Sequence, residues 1–219
     1  MSAHLQNQID RLKDKILTVG TMVEEALSKA IMALVDRDAQ LAQRVIDADD
    51  DIDRMEVEVE EECLKTLALY QPVAADLRFV VAVLKINNDL ERMGDLAGNI
   101  AKRAAFLAAA EPLALPRELS PMASKAKSML KRSLDALVNW NAALARQVRS
   151  DDDEVDELRA EIRQALTRKV QSAPERTEAL LKLLSVSKHL ERLADMATNI
   201  AEDVIYMVEG VIVRHRIEP

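Results

Sequence analysis

Cysteine and aromatic residues are scarce in this 219-residue chain, and each shortage excludes a class of structure. Only Cys63 is present, so no disulfide can form within the chain. Its position in a helical pattern beside Val59 and Leu67 predicts a buried core thiol. Aromatic residues make up 2% of the sequence, and Trp140 is the single tryptophan. These rings are too few to build a surface on which single-stranded bases stack.

The chain also lacks a surplus of positive charge and any long apolar run. It has 30 Lys and Arg against 38 Asp and Glu, a net charge of -8, which argues against nucleic acid as a partner. The most apolar run, 79–84, is far shorter than the ~20 residues that span a bilayer. The first residues contain no apolar core of a signal peptide. We therefore expect a cytoplasmic protein.

Glycine and proline are rare as well, with 4 and 6 residues, and no stretch alternates apolar and polar residues as a strand does. The sequence therefore predicts an all-α fold of six long helices, at 4–35, 39–69, 74–109, 121–148, 152–170 and 174–210. The one proline-rich segment, 111–120, is the predicted linker. It divides the chain into two three-helix units, 1–110 and 121–219.

Apolar residues in the third and sixth predicted helices recur at alternating spacings of three and four. In the third helix they are Val83, Ile86, Leu90, Met93, Ala97, Ile100, Ala104 and Leu107. In the sixth they are Val186, Leu190, Leu193, Ala197, Ile200, Val204, Met207 and Val211. This heptad pattern is typical of helices that pack at shallow angles in antiparallel bundles.

The two halves of the chain repeat each other. The segment 90–101 aligns without a gap to 190–201, and the acidic segment 49–53 aligns to 152–156. Shared apolar positions could follow from helix packing alone. The shared Glu, Arg, Asp and Asn residues could not, because packing does not demand them on an exposed face. We interpret the repeat as a duplicated unit that carries a duplicated function.

Each half contains carboxylates at helical spacing on two of its helices. Side chains four residues apart, such as Glu91 and Asp95, share one face of a helix, and like charges there repel. A cation between two such faces would turn this repulsion into attraction, and oxygen-only ligands suit hard ions, iron or manganese. The predicted metal ligands are Asp49, Asp53, Glu56, Glu91 and Asp95 in the first half, and Asp152, Asp156, Glu191 and Asp195 in the second.

The two predicted metal sites differ in charge. Arg159 and Arg163 stand in the second half where the first half has Glu56 and Glu60. We therefore expect the first site to bind metal more tightly than the second.

No pattern of catalytic residues is present. The histidines at 4, 189 and 215 are too scattered for a metal triad, no Glu-x-x-His pair of di-iron bundles occurs, and no Gly-rich phosphate loop is found. We predict no catalytic residues, no organic cofactor and no enzyme activity. Three alternatives stay open. The rows of carboxylates are only solvated helix faces, the chain is a carboxylate-bridged metalloenzyme such as a ferroxidase, or it is a metal-free coiled-coil scaffold.

Three motifs, two of which are duplicated, resemble the PhoU family of bacterial phosphate-uptake regulators. Leu-Glu-Arg-x-x-Asp occurs at 90–95 and 190–195, and Asp-x-x-x-Asp occurs at 49–53 and 152–156. The third motif is Gln-Pro-Val-Ala-Ala-Asp-Leu-Arg at 71–78. The resemblance spans essentially the whole chain and implies a fold of two similar three-helix bundles.

The resemblance also implies a function. PhoU proteins bind multinuclear iron or other metals at Glu/Asp-x-x-x-Asp motifs, so iron is the first expectation here, ahead of zinc, nickel, manganese, magnesium or calcium. They contact the ATPase subunit of the high-affinity phosphate ABC transporter and the phosphate-sensing histidine kinase, and reach the membrane only through these partners. They are negative regulators of the phosphate regulon. A homodimer is a further expectation.

Overall fold

The structure, a computed structural model, describes residues 3–213 and contains no strand in that range. The all-α fold class is confirmed. The helices are α1 (Ala3–Asp36), α2 (Ala39–Asp47), α3 (Asp49–Tyr70), α4 (Ala74–Ala109), α5 (Leu119–Val138), α6 (Ala142–Ser150), α7 (Asp152–Ser172) and α8 (Thr177–Glu209). A 3-10 helix, Pro174–Arg176, precedes α8, so the sixth predicted helix begins later than its proline suggested.

Two of the predicted long helices are interrupted. The helix predicted at 39–69 is α2 and α3, which meet at Ala48. The helix predicted at 121–148 is α5 and α6, separated by residues 139–141. The predictions of unbroken helices were wrong there. In both halves, the second arm of the bundle is a short helix followed by a longer one. These are α2 and α3 in the first half, and α6 and α7 in the second.

A matching loop precedes each short helix, α2 and α6, and in the second half this loop is the interruption between α5 and α6. Arg37 and Trp140 both adopt a left-handed backbone, with φ of 55° and 53°. The next residue, Asp38 or Asn141, accepts a hydrogen bond from the backbone N–H three residues further on, at 2.8 and 3.0 Å. This is an N-cap, which satisfies an otherwise unpaired donor at the start of a helix. The repeat therefore extends to loop geometry that the hydrophobic pattern does not reveal.

The heptad positions form the centre of the core. All those predicted in α4 are buried, and so are those in α8 except Val211. Val211 lies beyond the end of α8, because Gly210 adopts a left-handed conformation that terminates the helix. The Val211 side chain is therefore 42% exposed. Cys63 is fully buried, as predicted, and burial raises the pKa of its thiol to about 12.

The two halves pack against each other through α4 and α8, which run antiparallel, while α1 also packs on α5. Lys85 Nζ lies 3.1 Å from Asp203 Oδ1, and Arg103 donates from Nε to Ser185 Oγ at 3.3 Å. Residues 85 and 185, and residues 103 and 203, occupy equivalent positions in the repeat. The two contacts are therefore related by an approximate two-fold axis between α4 and α8.

A non-helical segment of residues 110–118 connects the two three-helix units. It is held by Lys169, which donates to the Ala114 carbonyl at 3.1 Å, and by a 3.5 Å ion pair between Glu111 and Arg176. None of the helices within residues 3–213 combines the length and apolar character needed to cross a membrane. His215 lies outside the described residues.

Candidate functional site

The predicted metal ligands lie on the paired helices α3 and α4 in the first half, and α7 and α8 in the second. We call Asp49, Asp53, Glu56, Glu91 and Asp95 the first cluster, and Asp152, Asp156, Glu191 and Asp195 the second cluster. Half-buried members of the clusters are Asp49, Glu56, Glu91, Asp152 and Glu191. The exposed members are Asp53, Asp95, Asp156 and Asp195.

Each cluster begins at the first turn of a helix. Asp49 is the first residue of α3, and Asp152 is the first residue of α7, each followed by two more acidic residues. Neither helix has a side-chain cap. Acidic residues in a first turn are favourable because the helix dipole places partial positive charge there. Part of the acidic run thus has a structural role that the sequence interpretation missed, because it placed Asp49 inside a longer helix.

Two glycines of α4 let the start of α3 approach closely. A Cβ atom at Gly98 would lie 3.2 Å from Asp49 Oδ2, and a Cβ atom at Gly94 would lie 3.0 Å from Ile52 Cδ1. The Asp49 carboxylate therefore rests over the backbone of α4, within the same cluster as Asp95. In the second half, Ala194 and Thr198 replace these glycines.

The carboxylates of the first cluster are within electrostatic reach of one another. Burial raises the pKa of Glu91, and the charges of all four other members raise it further. The pKa of Asp49 is also raised, by burial first and then by Asp95 and Asp53, while Lys102 opposes the shift. The fold thus brings together the five residues predicted from the sequence and leaves their mutual repulsion largely uncompensated.

The second cluster has a counter-charge of its own. Burial and the neighbouring acids raise the pKa of Asp152 to about 6, with Asp195 and Asp156 the largest of those charges. Arg159 donates from Nη1 to Glu191 Oε1 at 2.8 Å, so a guanidinium lies where the first half has the Glu56 carboxylate. The two clusters are therefore unequal in charge, in the direction the sequence indicated.

Neither cluster is a preformed coordination sphere. Across residues 3–213, no three side chains of His, Cys, Asp or Glu converge closely enough to hold a metal ion as they are positioned. The donor set nevertheless fits a hard cation, because it consists only of carboxylate oxygens, which repel one another. Metal binding stays a prediction.

His189 has a different environment from the carboxylates. Its Nε2 lies 3.2 Å from Ser185 Oγ, in the interface between α4 and α8. Burial lowers its pKa to about 4, and the cations of Arg103, Arg192 and Lys188 act in the same direction. It is a half-buried, uncharged packing residue at neutral pH.

The sequence interpretation missed a buried carboxylate. Asp203 is 2% exposed and forms an ion pair with Lys85 across the α4–α8 interface. An available signal was its position next to the heptad residue Val204, because residues that flank a heptad seam lie beside the core.

A family model matches both halves of the chain, and known proteins match almost all of it. The model described as "PhoU domain" matches twice, over residues 16–104 and 119–204. A phosphate-specific transport system accessory protein PhoU homolog of Aquifex aeolicus is 39% identical, over 97% of this chain and 96% of that protein. Its Pseudomonas aeruginosa counterpart is 36% identical, over 98% and 89%.

Two solved structures have the same fold. The crystal structure of PhoU from Pseudomonas aeruginosa superposes with a TM-score of 0.88 at 35% identity, covering 94% of this chain and 99% of that one. The phosphate transport system regulatory protein PhoU from Streptococcus pneumoniae gives a TM-score of 0.85 at 30% identity, covering 95% and 99%.

Proposed function

This chain belongs to the PhoU family, and from that membership we propose that it regulates phosphate uptake and phosphate-starvation signalling. The observation that carries the proposal is the match over nearly the full length of relatives that are named accessory or regulatory proteins of phosphate transport. We propose that the chain is an adaptor between the high-affinity phosphate ABC transporter and its sensor histidine kinase, and a negative regulator of the phosphate regulon.

The regulatory role is tested by deleting the gene and measuring transcription of phosphate-starvation genes in phosphate-rich medium. We expect these genes to stay on, because an adaptor that transmits phosphate sufficiency is missing. Complementation with the unaltered chain should restore repression. Normal repression in the deletion strain would contradict the proposal.

The partners are the ATPase subunit of the transporter and the sensor kinase, which the chain would reach in the cytoplasm without entering the membrane. We also propose that it forms a homodimer. Affinity capture of tagged ATPase subunit and of tagged kinase tests each contact, with and without chelator. Capture of neither partner under both conditions would refute the adaptor role, whereas loss only with chelator would show that metal organises the contact.

We further propose that the carboxylate clusters bind metal, with iron the first expectation and zinc, nickel, manganese, magnesium or calcium the others. The first cluster would hold the ion through Asp49, Asp53, Glu56, Glu91 and Asp95. A bound cation would supply the positive charge that these repelling carboxylates lack. The second cluster is expected to bind more weakly, because Arg159 already neutralises Glu191.

Matched variants test the metal proposal. Metal titration by calorimetry should show a larger loss of affinity for Glu91→Ala than for Glu191→Ala, since these residues occupy equivalent positions. Equal losses in the two variants would refute the asymmetry. Unchanged binding in both would refute the clusters as the site.

A further inference from the structure

The outer face of α3 carries apolar side chains in solvent. Val57 and Leu64 are 51% and 53% exposed, and Ala68 is also exposed. Spacings of seven and four place all three on one face of the helix. Beyond them, at the end of the helix and in the following turn, Leu69 and Val73 are each 73% exposed. Single exposed apolar residues are ordinary, but a row at helical spacing is not.

The repeat provides an internal comparison. At the positions of α7 equivalent to Val57, Leu64 and Ala68, the chain has Ala160, Thr167 and Gln171. No large apolar side chain of α7 is exposed, so the same three-helix unit folds without an apolar row on its second arm. The apolar row on α3 is not a requirement of the fold, and it marks a surface that only the first half has.

Negative charge borders this row. Asp53, Glu60 and Glu61 are exposed beside Val57 and Leu64 on the helix surface, and Lys65 forms a 3.6 Å ion pair with Glu61. On α7 the equivalents of Glu60 and Glu61 are Arg163 and Gln164, whereas Asp156 repeats Asp53, so the acidic border is weaker in the second half. An apolar row between carboxylates fits a partner that presents apolar side chains flanked by Lys or Arg.

We propose that the outer face of α3 docks an amphipathic helix with a basic border from another protein. Two other occupants fit less well. A second copy of this chain has a net charge of -8 and would bring the same carboxylates against each other. An anionic membrane surface would be repelled by them as well. The inference deepens the proposed function, on which it rests only for the existence of a protein partner.

A binding assay with a defined probe tests this surface. The probe is a labelled synthetic helical peptide with Leu at three-four spacing and Lys on both borders, and its control is the same peptide with Glu in place of Lys. Fluorescence anisotropy should show binding of the basic peptide that weakens with added salt, because exposed charges are screened. The acidic peptide should not bind.

Substitutions taken from the second half locate the binding. Val57→Ala with Leu64→Thr should weaken binding about tenfold or more, since two apolar contacts are lost. Glu60→Gln with Glu61→Gln should weaken it and flatten its salt dependence. Thr167→Ala on α7 should leave it unchanged. All these positions are exposed, so the melting temperature of each variant should match that of the unaltered chain.

Several results would overturn the inference. One is peptide binding that is undiminished in the α3 variants, and another is equal binding of the basic and acidic peptides. A third is binding of the unaltered chain to vesicles of anionic phospholipid that the α3 variants lose, which would assign the face to a membrane. Sedimentation showing that the Val57→Ala, Leu64→Thr chain turns from dimer to monomer would assign the face to a second copy. Transcription in cells plays no part in this assay, so its failure is distinguishable from failure of the regulatory role.

Discussion

Asp152→Asn should stabilise the metal-free protein at neutral pH, although it removes an acidic residue from a helix N-terminus. The fold raises the pKa of Asp152 from 3.8 to about 6, because the carboxyl is half-buried beside Asp195 and Asp156. The ionised form is therefore disfavoured in the folded state. Asparagine has a similar size and carries no charge, so the substitution removes that cost.

The magnitude follows from the shift. A rise of roughly two pKa units corresponds to about 3 kcal/mol between the two protonation states. Because the side chain is only half-buried, solvent screening reduces this to about 1–2 kcal/mol. Loss of a charge favoured by the helix dipole costs about 0.3–1 kcal/mol. The net expectation is a gain of up to about 1.5 kcal/mol in the free energy of unfolding at pH 7.5.

The pH dependence gives the effect a signature. A carboxyl with a raised folded pKa stabilises the fold fully below its unfolded pKa, and that contribution is lost as pH rises through the folded value. The unaltered chain should therefore lose stability relative to Asp152→Asn between about pH 4 and pH 6. Below about pH 3, where the carboxyl is mostly protonated in both states, the two proteins should have equal stability.

Urea denaturation followed by circular dichroism measures this difference, in chelator so that bound cations do not offset the repulsion. Asp153→Asn is the matched control, because Asp153 lies in the same first turn but is exposed. It should be neutral or slightly destabilising. An Asp152→Asn variant that is less stable at pH 7.5, or whose gain persists unchanged at pH 4, would refute the reasoning.

Two further predictions concern the core. Lys85→Met should lower the free energy of unfolding by about 1–3 kcal/mol, because it removes an ion-pair partner from the buried Asp203 carboxylate. Its control is Lys65→Met, which breaks an exposed pair with Glu61 and should change the free energy of unfolding by about 0.5 kcal/mol or less. Equal losses of stability in the two variants, measured by urea titration, would contradict this prediction. Cys63, fully buried with a pKa of about 12, should react with a thiol reagent only as fast as the protein opens. Rapid labelling of the native protein would show that the thiol is accessible.

The helical periodicity predicted α4 to the residue, from Ala74 to Ala109, and the buried heptad of both central helices. Long amphipathic helices can be predicted from sequence because buried positions recur along the chain and many residues lie on the same face. The interruptions at Ala48 and at 139–141 could not be predicted in this way. Each depends on one or two residues, such as Trp140 in a left-handed conformation that its side chain does not favour.

The sequence by itself determined the fold class, the duplication and the identity of the nine candidate ligands, because these follow from composition, spacing and repetition along one chain. Tertiary structure alone decided their environment. It placed the Asp49 carboxylate over Gly98, paired Arg159 with Glu191, and buried Asp203 opposite Lys85. These contacts join residues far apart in sequence, so their distances depend on how helices cross and not on the periodicity of any one helix.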